Sequence, residues 1–276
     1  MARRFDAIGL ISQGKNTMLM KAFDSKNHRA VVLKRYLGQA NGGDREYCRE
    51  RDTLEALPPH QNIIGYNGCR EDADRCYLIL DYFEGKTMQK VVSEMNVCNC
   101  PECMCFKARW LVQVLDALKH MHSNHVYHCD IKPENILIAG DEIKVIDFGC
   151  SIINAEGVAK GSSVVLLGTP GFGTVEVGDL TYDGDVVLAH MDIWAFGCIL
   201  YYACTGSVPF VAESMFDTLR NVRSIEVDLG AVPACASRIL KRIFTRNVAS
   251  RYTLEELEKD VRGMAGYDEQ HLACKM

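Results

Sequence analysis

The feature that most constrains this chain is a polar motif set between short apolar runs, over residues 126–149. Apolar residues lie on both sides of the turn-forming residues 139–142, and this pattern predicts a β-hairpin. Such a hairpin would bring Asn135 at its entry opposite Asp147 at its exit. An amide oxygen beside a carboxylate suits Mg²⁺, which takes few protein ligands together with phosphate oxygens. The motif therefore predicts a metal site made by Asn135 and Asp147.

Two further charged residues, Asp130 and Lys132, precede this pair in the same loop. A carboxylate at such a site can accept a hydroxyl proton, and an ammonium can neutralise charge on a transferring phosphate. We therefore expect this loop to serve phosphate chemistry.

A second pair of charged residues is predicted to be buried. Lys34 ends the apolar run Ala30–Leu33, which indicates a buried strand, and an unpaired buried charge is costly. Glu50 lies on the apolar face of a helix predicted over residues 44–57, where it could pair with Lys34. Two alternatives stay open at this point. Lys34 could reach solvent along its aliphatic stem, and Glu50 could reach water at the edge of the apolar face.

The pattern of the chain changes near residues 81–85. The earlier part has one helical stretch and several β-like runs, at residues 5–11, 18–23, 30–36, 63–69 and 76–80. Helical patterns follow Gly85, notably over Lys107–His125 and Asp192–Thr205. We predict an α+β fold of two lobes with a ligand cleft between them. The lobes are a β-rich one with one main helix, residues 1–83, and a mostly helical one with a short tail, residues 84–276.

Composition argues against several classes of protein. The 276 residues carry a net charge of −5, which disfavours nucleic-acid binding through a basic surface. The longest apolar run, Ile193–Cys204, is too short to span a bilayer, and we expect no secretory leader. The 13 cysteines are then expected to be reduced thiols of a cytoplasmic protein, with the nucleus as a further location. The oligomeric state is left open.

Together these motifs resemble a eukaryotic protein kinase over residues 5–265. Their order and spacing exclude a chance match, although each motif alone is weak. In chain order, the parts are the strand lysine Lys34, its helix partner Glu50, the catalytic loop His128-Cys129-Asp130 with Asn135, the metal-binding triplet Asp147-Phe148-Gly149, the substrate-binding segment 168–172 with Glu176, the supporting helix 192–197, and Arg251 as the partner of Glu176.

The resemblance implies transfer of a phosphoryl group from ATP to a protein Ser or Thr, with Mg²⁺ as the metal and Mn²⁺ as an alternative. Asp130 would deprotonate the acceptor hydroxyl, and Lys132 would neutralise charge on the γ-phosphate. Lys34, oriented by Glu50, would hold the α- and β-phosphates. Thr169 would hydrogen-bond Asp130 and Lys132. The metal ions would be held by Asn135 and Asp147.

The resemblance also implies a nucleotide pocket. Backbone groups of Asp81 and Phe83 would bind the adenine edge, and the ring would be enclosed by Leu19, Val32 and Leu137. The family covers the phosphates with a loop of three glycines, but the corresponding positions hold Ser12, Gly14 and Thr17. Since glycine lets the backbone approach a phosphate closely, this loop predicts a weaker affinity for ATP.

Two other positions depart from the family pattern. Val175 replaces a proline before Glu176, and Cys129 replaces an arginine that in many kinases receives the phosphate of the activation segment. Without that cation, we predict that activity depends little on phosphorylation of Ser162, Ser163 or Thr169.

A finer resemblance is to plant MAP kinase kinase kinases of the MEKK type, which implies a MAP kinase kinase as the protein substrate. The alternative is a pseudokinase, which uses the same fold as a scaffold or allosteric partner with weak or no catalysis; the altered phosphate loop supports it. A small-molecule or lipid kinase fits less well, because the segment around Thr169 resembles a platform for protein substrates.

Four cysteines lie within eight residues, at Cys98, Cys100, Cys103 and Cys105. Such a density suggests zinc or another soft metal. Structural zinc usually takes its ligand pairs from two separate knuckles rather than from one short run, so we do not expect zinc at this cluster.

Overall fold

The computed structural model describes residues 4–37, 45–72, 75–95, 99–164, 167–179 and 181–264. The strands are β1 (Phe5–Gln13), β2 (Thr17–Asp24), β3 (Arg29–Tyr36), β4 (Tyr66–Asp72), β5 (Arg75–Asp81), β6 (Lys86–Thr87), β7 (Val126–Tyr127), β8 (Ile136–Ala139), β9 (Glu142–Val145), β10 (Ile152–Ile153), β11 (Val158–Lys160) and β12 (Asp185–Val187). The α-helices are α1 (Arg45–Ala56), α2 (Met88–Glu94), α3 (Pro101–Ser123), α4 (Gly161–Val164), α5 (Val175–Gly178), α6 (Leu188–Thr205), α7 (Met215–Ser224), α8 (Ala234–Ile243) and α9 (Leu254–Met264).

The first lobe is an antiparallel sheet of five strands in the order β1-β2-β3-β5-β4, with α1 packed beside it. Lys34 on β3 pairs with Leu19 on β2 and with Leu78 on β5, so it lies in the middle of the sheet. Lys34 and Tyr36 are both buried, as the two-residue period of a strand requires for side chains on one face.

One predicted strand begins later than its apolar pattern indicates. The run 63–69 predicts a strand from residue 63, but β4 begins at Tyr66. Ile63 instead bridges to Val145 on β9, and the Ile64 amide donates to the Val145 carbonyl at 3.0 Å. These two apolar residues are buried because they join the first lobe to the second, not because they belong to the sheet.

The second lobe is built around α3 and α6. Residues on every side of α6 are buried, as its nearly uniform apolar sequence predicts, and the helix ends at Gly206 in the left-handed conformation with φ of 72°. Trp194 on α6 stacks on Phe210 at 5.6 Å and meets Phe244 edge-on at 5.0 Å between ring centroids. The α+β fold with a β-rich first lobe and a helical second lobe is confirmed.

A smaller apolar cluster holds the segment between β10 and α5. It joins Tyr127 and Cys129, just before Asp130, to residues of α4, α5, β12 and the start of α6, namely Val164, Val177, Val186, Leu188 and Met191. Strand β11 pairs with β12 in antiparallel register, and Lys160 lies 2.7 Å from Asp185 across the pair. The parts of this segment that the structure describes are thus held by main-chain pairing as well as by apolar contacts.

Within the ranges that the structure describes, no helix combines the length and the apolar character needed to cross a bilayer.

Candidate active site

The predicted ion pair between Lys34 and Glu50 is formed and buried. Lys34 Nζ lies 2.5 Å from Glu50 Oε2 and 2.7 Å from Asp147 Oδ1, and only 6% of Lys34 is exposed. Both alternatives are therefore wrong, since neither Lys34 nor Glu50 reaches water. Burial alone would lower the pKa of Lys34, but the charges of Glu50 and Asp147 outweigh it and raise the pKa. Lys34 is thus a fixed ammonium at the junction of the two lobes.

Asp147 is held in an unusual backbone conformation at the exit of the β8–β9 hairpin. The hairpin forms as predicted, with Ile136 opposite Val145, and the Ile146 amide donates to the Asn135 carbonyl at 3.0 Å. Asp147 follows with φ of +66°, a conformation that side chains other than glycine rarely adopt. Partial burial would raise the pKa of Asp147, but the charge and the hydrogen bond of Lys34 outweigh it and lower that pKa.

Asn135 is oriented by its own amide hydrogens. Nδ2 donates to the Asp130 carbonyl at 2.9 Å and to Asp130 Oδ2 at 3.2 Å, which leaves Oδ1 as the group able to take a ligand. Asp147 uses Oδ1 for Lys34, and 42% of its side chain is exposed. One amide oxygen and one carboxylate oxygen are therefore available, and they fit Mg²⁺ bound partly by phosphate oxygens.

Asp130, Lys132 and Thr169 form a closed polar triangle. Lys132 Nζ donates to Asp130 Oδ2 and to Thr169 Oγ1, both at 2.7 Å, and Thr169 Oγ1 donates to Asp130 Oδ1 at 2.6 Å. The contacts expected of Thr169 are thus present. The Asp130 carboxylate and the Lys132 ammonium thus lie close together, just before Asn135 in the chain, where a substrate hydroxyl could contact both.

The backbone of the polar loop is held by a buried carboxylate of α6. Asp192, fully buried, accepts from the amides of His128 at 3.0 Å and Cys129 at 2.8 Å. His122 at the end of α3 contacts the same carboxylate at 2.8 Å. Cys129 has φ of +61°, so these bonds fix a turn that would otherwise be unfavourable.

The residues expected at the phosphate loop lie at the β1–β2 connection. Ser12 is the last residue but one of β1 and Thr17 is the first of β2, and the Gly14 amide donates to the Thr17 carbonyl at 2.9 Å. Ser12, Gly14 and Thr17 all lack a positive φ. The turn therefore forms without the conformational freedom that is special to glycine. A Cβ on Gly14 would meet Thr17 at an ordinary 3.8 Å. The loss of two glycines thus concerns approach to phosphate rather than folding.

The remaining pocket residues lie on strands and connections that border the cleft. Val32 pairs with Leu80 across β3 and β5, Leu19 pairs with Lys34, and Leu137 lies on β8. The Asp81 carboxylate turns away to Arg29 at 2.9 Å and to Asn67 at 2.8 Å, and its amide donates to Gly65. The Asp81 carboxylate and amide are therefore already used, and the Phe83 carbonyl accepts from Gly85 at 3.0 Å.

The predicted partner of Glu176 is also in place. Arg251 lies 2.8 Å from Glu176 Oε1 and 5.3 Å from the ring of Trp194. Arg251 is 5% exposed, so this pair ties the segment around Thr169 to the base of the second lobe even though Val175 replaces proline.

The cysteine cluster falls partly outside the described residues, because Cys98 is not among them. Cys100 directly precedes α3, and Cys103 and Cys105 are half-buried on the first turns of that helix. Over the described ranges, no group of three or more His, Cys, Asp or Glu side chains could hold a metal ion.

A β-rich lobe that presents a paired lysine to a loop of polar residues on a helical lobe is the architecture of protein kinases. The chain belongs to this family, because the model of the protein kinase domain matches residues 5–261. The match covers nearly all of the chain, including every site residue described above.

Several curated kinases are similar to the chain. CBL-interacting protein kinase 15 of Oryza sativa subsp. japonica is 25% identical over 99% of this chain and 62% of its own length. Serine/threonine-protein kinase PKH2 of Candida albicans is 28% identical over 76% of this chain and 22% of its own length. Inactive serine/threonine-protein kinase PLK5 of Mus musculus is 27% identical over 95% of this chain and 43% of its own length. The chain thus spans less than two thirds of the length of each of these relatives.

Two side chains at the site were missed in the sequence. Tyr36 donates a hydrogen bond to Glu50, and His122 contacts Asp192. The position of Tyr36 two residues after Lys34 on a strand places both side chains on one face, which is a signal available from the sequence. His122 offered no comparable signal, because its contact depends on how α3 packs on α6.

Proposed function

We propose that this chain is a serine/threonine kinase that transfers the γ-phosphate of ATP to a hydroxyl of a protein substrate. The observation that carries the proposal is the contact of Lys34 from the first lobe with Asp147 from the second, at 2.7 Å, beside the triangle of Asp130, Lys132 and Thr169. This arrangement places a phosphate-binding cation and a proton acceptor around one cleft.

Each side chain has a role that follows from its surroundings. Lys34 holds the α- and β-phosphates, and Glu50 keeps its ammonium in place. Asp130 orients the acceptor hydroxyl and receives its proton, while Lys132 offsets the charge of the transferring group. Mg²⁺ bound by Asn135 and Asp147 would neutralise phosphate charge. The Thr169 hydroxyl keeps the Asp130 carboxylate and the Lys132 ammonium in contact range.

The experiment that tests this proposal is phosphorylation of a peptide library that contains Ser, Thr and Tyr acceptors. We expect label on Ser and Thr peptides only, because Lys132 and Thr169 close the site around a short hydroxyl. Label on Tyr peptides, or transfer only to small molecules or lipids, would contradict it.

A finer proposal is that the chain acts as a MAP kinase kinase kinase of the MEKK type in the cytoplasm, and also in the nucleus, with a MAP kinase kinase as its substrate. Its support is the resemblance of the motifs around Cys129, Phe148 and Trp194 to that group. The relatives named above belong to other kinase groups, so this finer proposal needs a test of its own. The chain should phosphorylate purified MAP kinase kinases faster than an unrelated protein, and equal rates would contradict the finer proposal.

A second candidate function is that of a scaffold or allosteric partner with weak or no catalysis. The observation that favours it is the phosphate loop, in which Ser12 and Thr17 stand where the family has glycine. One relative, PLK5 of the mouse, carries the word inactive in its name. Lys34, Asp130, Asn135 and Asp147 are nevertheless all in place, which is why the enzyme is preferred.

Activity should not depend on phosphorylation of the activation segment. Cys129 lies in an apolar cluster with Val164 and Val186, and β11 pairs with β12, so the described parts of the activation segment (residues 147–176) are held without a phosphate. We expect phosphatase-treated protein to keep its activity within about twofold, since no arginine at position 129 would receive a phosphate. The measurement is peptide phosphorylation before and after phosphatase treatment, with a Ser162→Ala/Ser163→Ala double variant as a second comparison. Inactivation that rephosphorylation reverses would contradict the prediction.

A further inference from the structure

A hydroxyl that the roles above do not use lies beside the buried ion pair. Tyr36 and Lys34 lie on the same face of β3 and point towards α1. The Tyr36 hydroxyl donates a hydrogen bond to Glu50 Oε2, the same oxygen that accepts Lys34 Nζ at 2.5 Å. Tyr36 is 2% exposed and Glu50 1%, so water does not compete for these bonds. Burial and the charge of Glu50 raise the pKa of Tyr36, which keeps its hydroxyl protonated as a donor.

The ring of Tyr36 packs against helix α1 on one side and lies near the Lys34 ammonium on the other. It packs edge-to-face on Tyr47, with the ring centroids 5.2 Å apart, and Tyr47 lies about one turn before Glu50 on α1. Lys34 Nζ lies 5.6 Å from the centroid of the Tyr36 ring, within the range of a cation–π contact. Tyr36 therefore touches the helix, the carboxylate and the ammonium at once.

The Glu50 carboxylate is used on one side only. Oε2 accepts both donors, whereas Oε1 is buried and, in the part of the chain that the structure describes, has no hydrogen-bond partner. One orientation of the carboxylate thus keeps two bonds, and turning it away from that orientation would break both. The hydroxyl of Tyr36 thus adds a second charge-assisted hydrogen bond to the one made by Lys34, and each opposes this rotation.

We propose that Tyr36 is a positioning residue for nucleotide binding: it fixes Glu50 in one orientation and, through Glu50, fixes the Lys34 ammonium where the phosphates of ATP lie. Lys34 Nζ also donates to Asp147 Oδ1 at 2.7 Å, so without a fixed Glu50 its ammonium would be positioned by Asp147 alone. This inference rests on the proposed function, because it assigns Tyr36 to the ATP site of that reaction.

The chain offers a matched control in the same ring pair. Tyr47 is also 2% exposed, but its hydroxyl donates to Glu71 Oε1 at 2.8 Å, at β4 rather than at the ion pair. Tyr36→Phe and Tyr47→Phe each remove one buried phenol hydroxyl while keeping both rings. A purely structural role predicts the same effect of the two changes on nucleotide binding.

The test measures the Kd for Mg·ATP, the KM for ATP and the KM for a peptide substrate in wild type and both variants, together with their melting temperatures. We expect Tyr36→Phe to raise the Kd and the KM for ATP about tenfold and to leave the KM for peptide unchanged. Tyr47→Phe should leave all three constants within about twofold. Folding of both variants is checked by their melting temperatures, which should be similar.

The outcomes separate this inference from the proposed function. Equal nucleotide affinity of wild type and Tyr36→Phe, or equal losses in the two variants, would overturn the role of Tyr36. If wild type binds Mg·ATP but transfers no phosphate, the proposed function fails, whereas the comparison of Kd values still decides about Tyr36. If wild type binds no nucleotide, both are overturned.

Discussion

Replacing Asp130 by Asn is expected to lower the rate of phosphoryl transfer about 10³-fold, because an amide cannot receive the proton of the acceptor hydroxyl. The amide keeps the size of the carboxylate, and its oxygen can still accept one of the bonds now made by Lys132 and Thr169. Asp130 does not belong to the groups assigned to the nucleotide, so the KM for ATP should change by no more than about twofold. The measurement is kcat and KM for ATP and for a peptide.

The matched control for this prediction is Asp141→Asn. Asp141 lies in the turn of the β8–β9 hairpin and is bound to Arg109 at the surface, so the same chemical change there should leave kcat unaffected. A rate for Asp130→Asn within about tenfold of wild type would show that Asp130 is not the proton acceptor.

Replacing Asp192 by Asn is expected to lower the free energy of unfolding by about 3 kcal/mol. The buried carboxylate accepts from the backbone amides of His128 and Cys129 and contacts His122. The NH₂ group of an asparagine would face at least one of these backbone N–H groups, and two donors cannot form a hydrogen bond. The loop would lose the bonds that hold Cys129 at positive φ, so kcat should fall as well. Denaturant unfolding, followed by tryptophan fluorescence, measures the change.

Asp183→Asn is the control for this second prediction. Asp183 is exposed in the connection that precedes β12, and its replacement should change the free energy of unfolding by less than about 0.5 kcal/mol. Equal stability of Asp192→Asn and wild type would mean that the loop does not need a carboxylate beneath it.

The chemistry of the site could be predicted where it depends on short stretches of sequence. The hairpin that carries Asn135 and Asp147 is local, because its strands are joined by only two residues, Gly140 and Asp141. The pairing of Lys34 with Glu50 was also predictable, since a lysine after a buried strand and an acid on an apolar helix face each require a partner. The structure decided between that pair and its two solvent-exposed alternatives.

Contacts that depend on long-range packing could not be predicted. The pairing of β11 with β12 joins segments more than 20 residues apart, and neither three-residue run has a strong pattern. The Asp81 carboxylate turns to Arg29 and Asn67 because β3 and β4 flank β5, an order that the sequence does not specify. Ile63 likewise lies at the junction of the two lobes rather than in β4. Its partner Val145 is 82 positions later in the chain, so this contact also depends on long-range packing.

The altered phosphate loop differs from the family pattern in its residues but still closes as a turn. The missing glycines predict weaker ATP binding, but the structure shows that the β1–β2 turn closes with Ser12 and Thr17 at ordinary φ. The predicted effect lies in the approach of phosphate to this backbone, so a measurement of nucleotide binding tests it more directly than a measurement of stability.

The most direct test of the central claim, that this cleft transfers phosphate, is transfer of label from γ-labelled ATP to a Ser/Thr peptide by the purified chain, with and without Mg²⁺. The proposed function predicts Mg²⁺-dependent label with wild type, lost in Asp147→Asn and reduced to background in Asp130→Asn. Equal background signals from wild type and both variants would contradict it and favour the scaffold.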